Sequence, residues 1–508
     1  MALDKSNINY RHPEYEERYT NWVFLKDSYD GGLSYKEKDY LTRYVNEEDS
    51  EYRSRVRQTP IDNHCKSIVS IYNSFLYKKP PSRDFGTYAN DPMIQSFIND
   101  ADREGRSLDD FMSQVNIVSS IYGHAWVIVD KPEVAVSTRA QEIENDIRPY
   151  LTLFSPLQIL DWDYKQNMNG SYYLASLKVW EYGDDDSYCI KIFKPDTIER
   201  HFVEKQELVR TETYPNNIGI IPAVCVYSSR SDERGIGISD ISDIADVQRS
   251  IFDANSELEQ IVRLSNHPSL VMTNGTRPSA GAGAIITIEE GMDPGLKPYL
   301  LQPASQSIDS VRNLIKDRVE TINRMANVGA VRQQESKKIS GIALQQEFEL
   351  LNARLAEKAN NLELGEYQIW DLYSYWMGLP TGFCVIEYAD SYNTKDKQSD
   401  FALLKEAKDL AVESPTLYKH IYLHMASLFV EDSKMLEQIA KEIAASQLKK
   451  AADEAEDEME DEMEDEDEME SHIMMNPETG ETREVSSEAE HTTLMNQGWI
   501  HPEDMNDD

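Results

Sequence analysis

The spacing of apolar residues changes several times along this 508-residue chain and predicts an α+β protein that is mainly helical. Before residue 123, apolar positions recur at helical spacing, as at Ile68, Tyr72 and Phe75, and Ser107 is placed to cap a second helix. From 125 to 223, short apolar runs alternate with Asp, Gly and Pro turns, which is typical of strands. This segment is therefore predicted to be an α+β domain.

The helical period returns at residue 238 and predicts two long helices on either side of a small module. Apolar residues lie on one face of 240–266, with Ser239 as the predicted N-cap, and again on one face of 305–326. The segment between them, 267–303, is rich in Gly and Pro and contains two short strand-like runs. The first helix is predicted to be a rod of roughly 40 Å.

The longest helical pattern covers residues 341–378. Seven apolar residues are spaced 4, 3, 4, 7, 7 and 7 apart and form a heptad-like seam: Leu344, Phe348, Leu351, Leu355, Leu362, Ile369 and Trp376. Such a seam predicts a helix that packs against other helices along its length. Lys358 and Gly365 interrupt the seam, and the glycine predicts a bend because it weakens a helix interior.

A polar loop is predicted between the helix at 305–326 and the helix at 341–378, over residues 328–340. Gly329 and Gly341 flank it and are predicted, with Gly365, to be helix breaks or hinges. The loop carries three cations, Arg332, Lys337 and Lys338, and one acid, Glu335. It is therefore a net positive segment in a negatively charged chain.

The formal net charge of −40 is concentrated in the C-terminal tail. Residues 451–508 contain 23 Asp and Glu and a single base, Arg483. The part at 451–475 is predicted to be an acidic low-complexity linker without stable structure, and 476–508 to be a short segment with a helix beginning near Ser486 or Ser487 and an exposed Trp499. This end is either an inert tail or a small docking peptide.

The sequence displays no convincing catalytic or ligand-binding motif. Gly235 and Gly237 lack the third glycine of a dinucleotide loop, and His420 and His424 lack a third metal ligand. Three aspartates, Asp240, Asp243 and Asp246, are interpreted as the solvated face of a helix. The four cysteines lie far apart, which predicts free thiols, and no apolar run is long enough for a membrane span. The chain is expected to be neither an enzyme nor a binder of cofactors or metals.

The order of these elements resembles that of the portal, or head-to-tail connector, proteins of tailed bacteriophages. The local sequence agrees: WVFLKDSYDGG, EYRSRVRQT and FLYKKPP resemble the opening of that family. The stretch KKISGIALQQEFELLNARLAEKANNLELGEYQIWDLYSYWMG resembles its long helix. The resemblance covers residues 10–445, and it is most specific in the long helix.

The resemblance implies a set of named regions. These are a wing (1–237), stem helices (238–266 and 304–327), a clip (267–303), a channel loop (328–340), a long kinked helix (341–378) and a helical crown (379–450). It also implies a ring, usually of twelve subunits, at one capsid vertex of a virion made in the host bacterial cytoplasm. The implied partners are double-stranded DNA, terminase, a neck or tail adaptor, and the major capsid and scaffold proteins, with no membrane.

Two roles for residues follow from the resemblance. The cations Arg332, Lys337 and Lys338 are expected to contact the DNA backbone without reading its sequence, as phosphate contacts do. The seam of the long helix is expected to mediate helix packing in the ring. Two alternatives stay open: the loop is a solvated surface loop whose cations pair with neighbouring acids, or the protein is an acidic helical assembly scaffold or chaperone-like interaction protein.

Overall fold

The computed structural model describes residues 7–132, 138–184, 187–205, 207–266, 269–271, 293, 299–301, 305–332, 341–389, 392, 404–405, 407, 415–427, 429–430, 435–436, 438–446 and 471–503. They belong to two compact units, Met1–Asn393 and Thr394–Asp508. Within these residues the fold is a mixture of helix and sheet, as the sequence predicts. None of the described helices is long and apolar enough to cross a membrane.

Between residue 7 and the first sheet, the structure describes six α-helices and one short strand. They are α1 (Pro13–Asp30), α2 (Gly32–Lys36), α3 (Asp49–Gln58), α4 (His64–Leu76), β1 (Ser82–Asp84), α5 (Pro92–Asn99) and α6 (Leu108–Tyr122). Local chemistry sets their starts: Asn63 Oδ1 accepts from Lys66 N at 2.8 Å, and Ser107 Oγ accepts from Asp110 N at 3.2 Å. The predicted cap at Ser107 is confirmed.

Two antiparallel sheets follow. The first has the order β3-β2-β9, and the second the order β4-β5-β6-β7-β8. Their strands are β2 (His124–Asp130), β3 (Tyr150–Phe154), β4 (Ile159–Gln166), β5 (Tyr172–Gly183), β6 (Ser187–Phe193), β7 (Thr197–Glu204), β8 (Glu207–Pro215) and β9 (Ala223–Tyr227), with a short helix, α7 (Arg139–Glu144), between β2 and β3. The central strand β2 is buried along almost its whole length, because helices pack against it.

Two long helices of the first unit follow in the chain. After two two-residue strands, β10 (Ser229–Arg230) and β11 (Gly237–Ile238), come α8 (Ser242–Asn266) and α9 (Ser305–Met325), which pack against each other. Strand β12 (Ser269–Val271) pairs antiparallel with β13 (Tyr299–Leu301) between them. The 25 residues of α8 span about 37 Å.

The start of α8 differs from the prediction. Ser239 lies before the helix, where its Oγ accepts from Ile241 N at 3.1 Å in a turn, and α8 begins only at Ser242. Ile238, the first residue of the expected stem helix, lies in β11 instead and is half exposed.

The rest of the first unit is formed by α10 (Gly329–Arg332), α11 (Gly341–Met377) and β14 (Val385–Glu387). Strand β14 pairs antiparallel with β1, and Arg83 lies opposite Ile386. This pairing places the segment after α11 in the first unit, whereas the predicted crown begins at residue 379.

The described part of the second unit contains a helix at Pro415–Ser427, helical residues 438–446, and a ββα module at 471–503. The module consists of β15 (His472–Met475), β16 (Thr482–Val485) and a helix, Glu488–Asn496. Its cap is Ser487, as predicted, since Ser487 Oγ accepts from Glu490 N. The prediction of an exposed Trp499 is wrong, because this side chain is half-buried against the small core of the module.

The predicted boundary between linker and C-terminal segment, at 475/476, is also wrong, because β15 lies before it and pairs with β16 after it. Residues 451–470 of the predicted acidic linker lie outside the described residues.

Candidate functional site

The polar loop begins at a firmly anchored turn. After α9, Asn327 adopts a left-handed conformation with φ of 53°, and the flanking Ala326 and Val328 are fully buried. Tyr72 on α4 donates a hydrogen bond from its hydroxyl to Ala326 O at 2.6 Å. The chain therefore turns at Asn327, a residue type that tolerates this conformation better than most.

Arg332 is held inside this anchor rather than presented to solvent. Its guanidinium donates to Asn323 Oδ1 at 3.0 Å and to His64 Nδ1 at 2.9 Å. Because a guanidinium can only donate, His64 Nδ1 accepts and the ring proton lies on Nε2, 3.0 Å from Asp62 Oδ2. The guanidinium of Arg332 is therefore engaged within its own chain, and its contact with DNA stays a prediction. Lys337 and Lys338 lie outside the described residues.

Two of the three predicted hinge glycines, Gly329 and Gly341, lie at helix starts, and the third, Gly365, lies inside a helix. The turn occurs at Asn327, while Gly329 only begins α10, and a Cβ there would lie 2.8 Å from Glu347 Oε2. Gly341 is the first residue of α11. At Gly365 the helix is unbroken, and a Cβ would lie 2.9 Å from Val226 Cγ2. Gly365 therefore lets α11 approach β9 closely, and the prediction that it breaks the helix is wrong.

The seam of α11 is buried within its own chain. Leu351, Leu355, Leu362 and Ile369 are at most 2% exposed and belong to the main core of the first unit. The helix contacts β9, β2, β14, α4 and α6, so these four residues pack on a sheet as well as on helices. They are inaccessible to a second subunit, and their predicted role in packing between subunits is wrong.

The remaining seam residues differ. Phe348 is half-buried, Trp376 donates from Nε1 to Val129 O at 2.8 Å, and the side chain of Leu344 lies outside the described part of the chain. A helix on a twisted sheet presents one stripe to it, which explains why a heptad-like pattern occurs without a coiled coil.

Beneath α11 lies a buried ion pair that the sequence analysis did not predict. Lys358 Nζ donates to Asp240 Oδ2 at 2.6 Å, to Ser228 Oγ at 2.7 Å and to Ser120 Oγ at 3.0 Å. Arg354 adds a longer contact of 3.4 Å to Asp240 Oδ1. Burial alone would raise the pKa of Asp240, but the two cations outweigh this and lower it.

This ion pair corrects two interpretations of the sequence. Asp240 is buried in a turn rather than solvated on a helix, although Asp243 and Asp246 are exposed on α8 as predicted. Lys358, which interrupts the apolar seam, is buried as well and joins α11 to α6, to the residue after β9 and to the turn before α8. The sequence contained one indication of this pair, which is the lysine at a core position of an apolar seam. A buried lysine requires a nearby acid to balance its charge.

A second buried acid, Glu366, holds the end of the first unit to α11. Arg83 on β1 donates to both of its carboxylate oxygens, Tyr388 donates at 2.7 Å, and Trp370 donates at 3.3 Å. Arg83 also donates to Asp109 Oδ1 at 2.7 Å. Glu366 is fully buried, so its charge is balanced almost entirely by these contacts.

The opposite face of α11 exposes large apolar side chains. Leu350, Leu364 and Tyr375 are 58%, 43% and 51% exposed, and at 100° per residue they point within about 40° of one another. We call these three residues the outer stripe. Apolar residues aligned on one exposed face are a common feature of protein interfaces.

The glycines of the incomplete dinucleotide motif and the four cysteines have structural roles. Gly237 lies against Gly123, and Gly235 against the ring of Trp162, so these glycines permit close packing. The four cysteines are free, as predicted, and burial raises the pKa of Cys65 to about 12, which keeps it a neutral thiol at pH 7.

Comparisons with known proteins do not assign a family. No family model and no curated protein matches the chain. One solved structure that overlaps with it comes from the neck of an empty GTA particle, at 9% identity and a TM-score of 0.43, over 75% of this chain and 96% of that chain. Another comes from the virion of a native gene transfer agent particle, at 11% identity and a TM-score of 0.39, over 82% and 98% of the two chains. Both TM-scores are below 0.5, so neither assigns a function.

Proposed function

We propose that this chain is the subunit of a portal ring at a capsid vertex. In this role it is a conduit for double-stranded DNA during packaging and ejection, and a docking platform for terminase and for the neck or tail adaptor. The proposal involves no catalytic step and no cofactor. Major capsid and scaffold proteins are the further partners.

The observation that carries the proposal is the path of the chain from α8 to α11. Two long helices pack against each other, the strands β12 and β13 pair between their far ends, and the chain returns to a turn at Asn327 before the long helix crosses the sheet. This is the order expected of stem, clip, stem, channel loop and long helix. It agrees with the sequence resemblance of the long helix to that family.

The outer stripe provides a test of the ring. Light scattering and negative-stain images should show particles of about twelve copies of the 58.3 kDa chain, about 700 kDa, with a central hole. The double variant Leu350→Glu/Leu364→Glu should be monomeric, because each glutamate would place a charge in a desolvated contact.

The control is Met168→Glu, at a fully exposed position in the turn between β4 and β5, and this variant should still form rings. A ring that persists in the double variant would show that the subunits meet elsewhere. A wild-type chain that stays monomeric even when expressed with capsid and scaffold proteins would contradict the portal proposal and favour the acidic scaffold.

The loop cations are tested separately. Lys337→Ala/Lys338→Ala should lower the fraction of DNA-filled particles about twofold or more, because each lysine supplies one phosphate contact per subunit. Rings should assemble normally. The matched control is the exposed pair Lys78→Ala/Lys79→Ala, which is also two adjacent lysines. DNA retention equal to wild type in the loop variant would exclude the contact.

A further inference from the structure

The ββα module at 471–503 is held by very few apolar contacts. Its core consists of three buried side chains, Met474, Val485 and Leu494, with Trp499 packed against them. The main chain closes the module through the bridge between Met475 and Ile500, in which each N–H donates to the other carbonyl at 2.8 and 2.9 Å. Modules of this size usually need a disulfide or a metal for stability, and none of the four cysteines lies in this segment.

Three histidines converge on one side of this core. His472 begins β15, His491 lies on the helix, and His501 follows the bridging residue Ile500. Their ring centroids are 4.8 to 5.3 Å apart, and one ring nitrogen of each lies within 4.8 Å of the other two. All three rings are half-buried. Three separate parts of the module therefore present imidazole nitrogens to one point.

The spacing fits a metal ion as well as it fits a hydrogen bond. His491 Nε2 and His501 Nε2 are 3.1 Å apart. Two imidazole nitrogens bound to a tetrahedral zinc at 2.0 to 2.1 Å are about 3.3 Å apart. The third nitrogen, from His472, lies within 4.8 Å of the other two, so metal binding requires it to approach by at most about 1.5 Å. Imidazole ligands favour zinc and related transition metals over Ca²⁺ and Mg²⁺, which prefer oxygen.

We infer that His472, His491 and His501 form a zinc site that stabilises the C-terminal module. The ion links the first strand, the helix and the bridging segment. It thereby adds stability that the small apolar core does not supply. The site does not depend on the portal proposal, since it concerns only the fold of residues 471–503.

The first test is zinc content in the full chain. After incubation with zinc and desalting, elemental analysis should find one equivalent more in the wild type than in the variant His472→Gln/His491→Gln/His501→Gln. Cobalt should give the visible absorption of a tetrahedral site in the wild type alone. The matched control, His420→Gln/His424→Gln, removes a histidine pair one turn apart on the helix Pro415–Ser427 and should keep the full zinc content.

Trypsin then reports whether the ion stabilises the module. Arg483 is the single basic residue after position 450, and it lies in β16 opposite Met474. Free zinc at ten times its Kd should slow cleavage at Arg483 about elevenfold in the wild type, because binding lowers the open population by that factor. The triple variant should be cleaved at the rate of the metal-free wild type, with or without zinc.

The inference is overturned if wild type and triple variant hold equal zinc, or if the control loses the ion as well. It is also overturned if zinc binds without slowing cleavage at Arg483. Equal zinc in the wild type and the triple variant would leave the His491–His501 contact as a hydrogen bond alone.

Discussion

Replacing Lys358 with Ala should lower the free energy of unfolding of the first unit by about 3 to 5 kcal/mol. The substitution leaves the Asp240 carboxylate buried, with only the longer contact to Arg354 as a balancing charge. It also removes the donor that Ser120 and Ser228 share. Urea denaturation followed by tryptophan fluorescence measures the effect.

Two comparisons separate the ion pair from the packing of the lysine stem. The double variant Lys358→Met/Asp240→Leu removes both charges and should recover most of the lost stability, since a buried pair replaced by apolar residues is often neutral. Lys316→Ala, at an exposed position on α9, should change stability by less than about 0.5 kcal/mol. If Lys358→Ala behaved like Lys316→Ala, the buried pair would not be the link between α11 and the start of α8.

The same pair predicts a dependence on pH. The folded state lowers the pKa of Asp240, so the contribution of this carboxylate is fully present above the ordinary aspartate pKa of about 3.9. This contribution to stability is lost as the pH falls through the lower pKa that Asp240 has in the folded state. The stability difference between the wild type and Lys358→Met/Asp240→Leu should therefore change in favour of the double variant below about pH 4.

Replacing Arg83 with Ala should have an effect of similar size, about 3 to 5 kcal/mol. The fully buried Glu366 would keep only the neutral donors Tyr388 and Trp370. Because Arg83 lies on β1, the strand that pairs with β14, hydrogen exchange of the amides of residues 385–387 should accelerate more than that of α6.

Arg83→Lys keeps the positive charge but lacks the planar guanidinium that reaches both oxygens of Glu366. Its free energy of unfolding should therefore lie between those of the wild type and Arg83→Ala. Arg57→Ala, an exposed arginine on α3, is the control and should be close to neutral. Unchanged exchange in β14 of Arg83→Ala would show that the strand pairing does not depend on this ion pair.

Local patterns in the sequence predicted the elements well. The helices α8, α9 and α11 were placed within two residues of their observed ends, because the apolar period that defines a helix lies within the helix itself. The paired strands between α8 and α9, and the capped helix at the C-terminus, were predicted for the same reason. The pattern did not predict what each seam packs against, and four residues assigned to a ring interface lie in the core of a single chain.

The sequence by itself determined the order and lengths of the elements, the acidic balance and the free thiols. Only the tertiary structure decided the partners of the charged groups. Lys358 and Asp240 are 118 residues apart, Arg332 and His64 are 268 apart, and Arg83 and Glu366 are 283 apart. No local pattern encodes such pairs, because the partner of each buried charge comes from a distant part of the chain that the fold brings beside it. A buried charge without a partner would destabilise the fold too strongly to persist. The three histidines of the C-terminal module meet for the same reason, through a strand pairing that lies across the boundary drawn from composition.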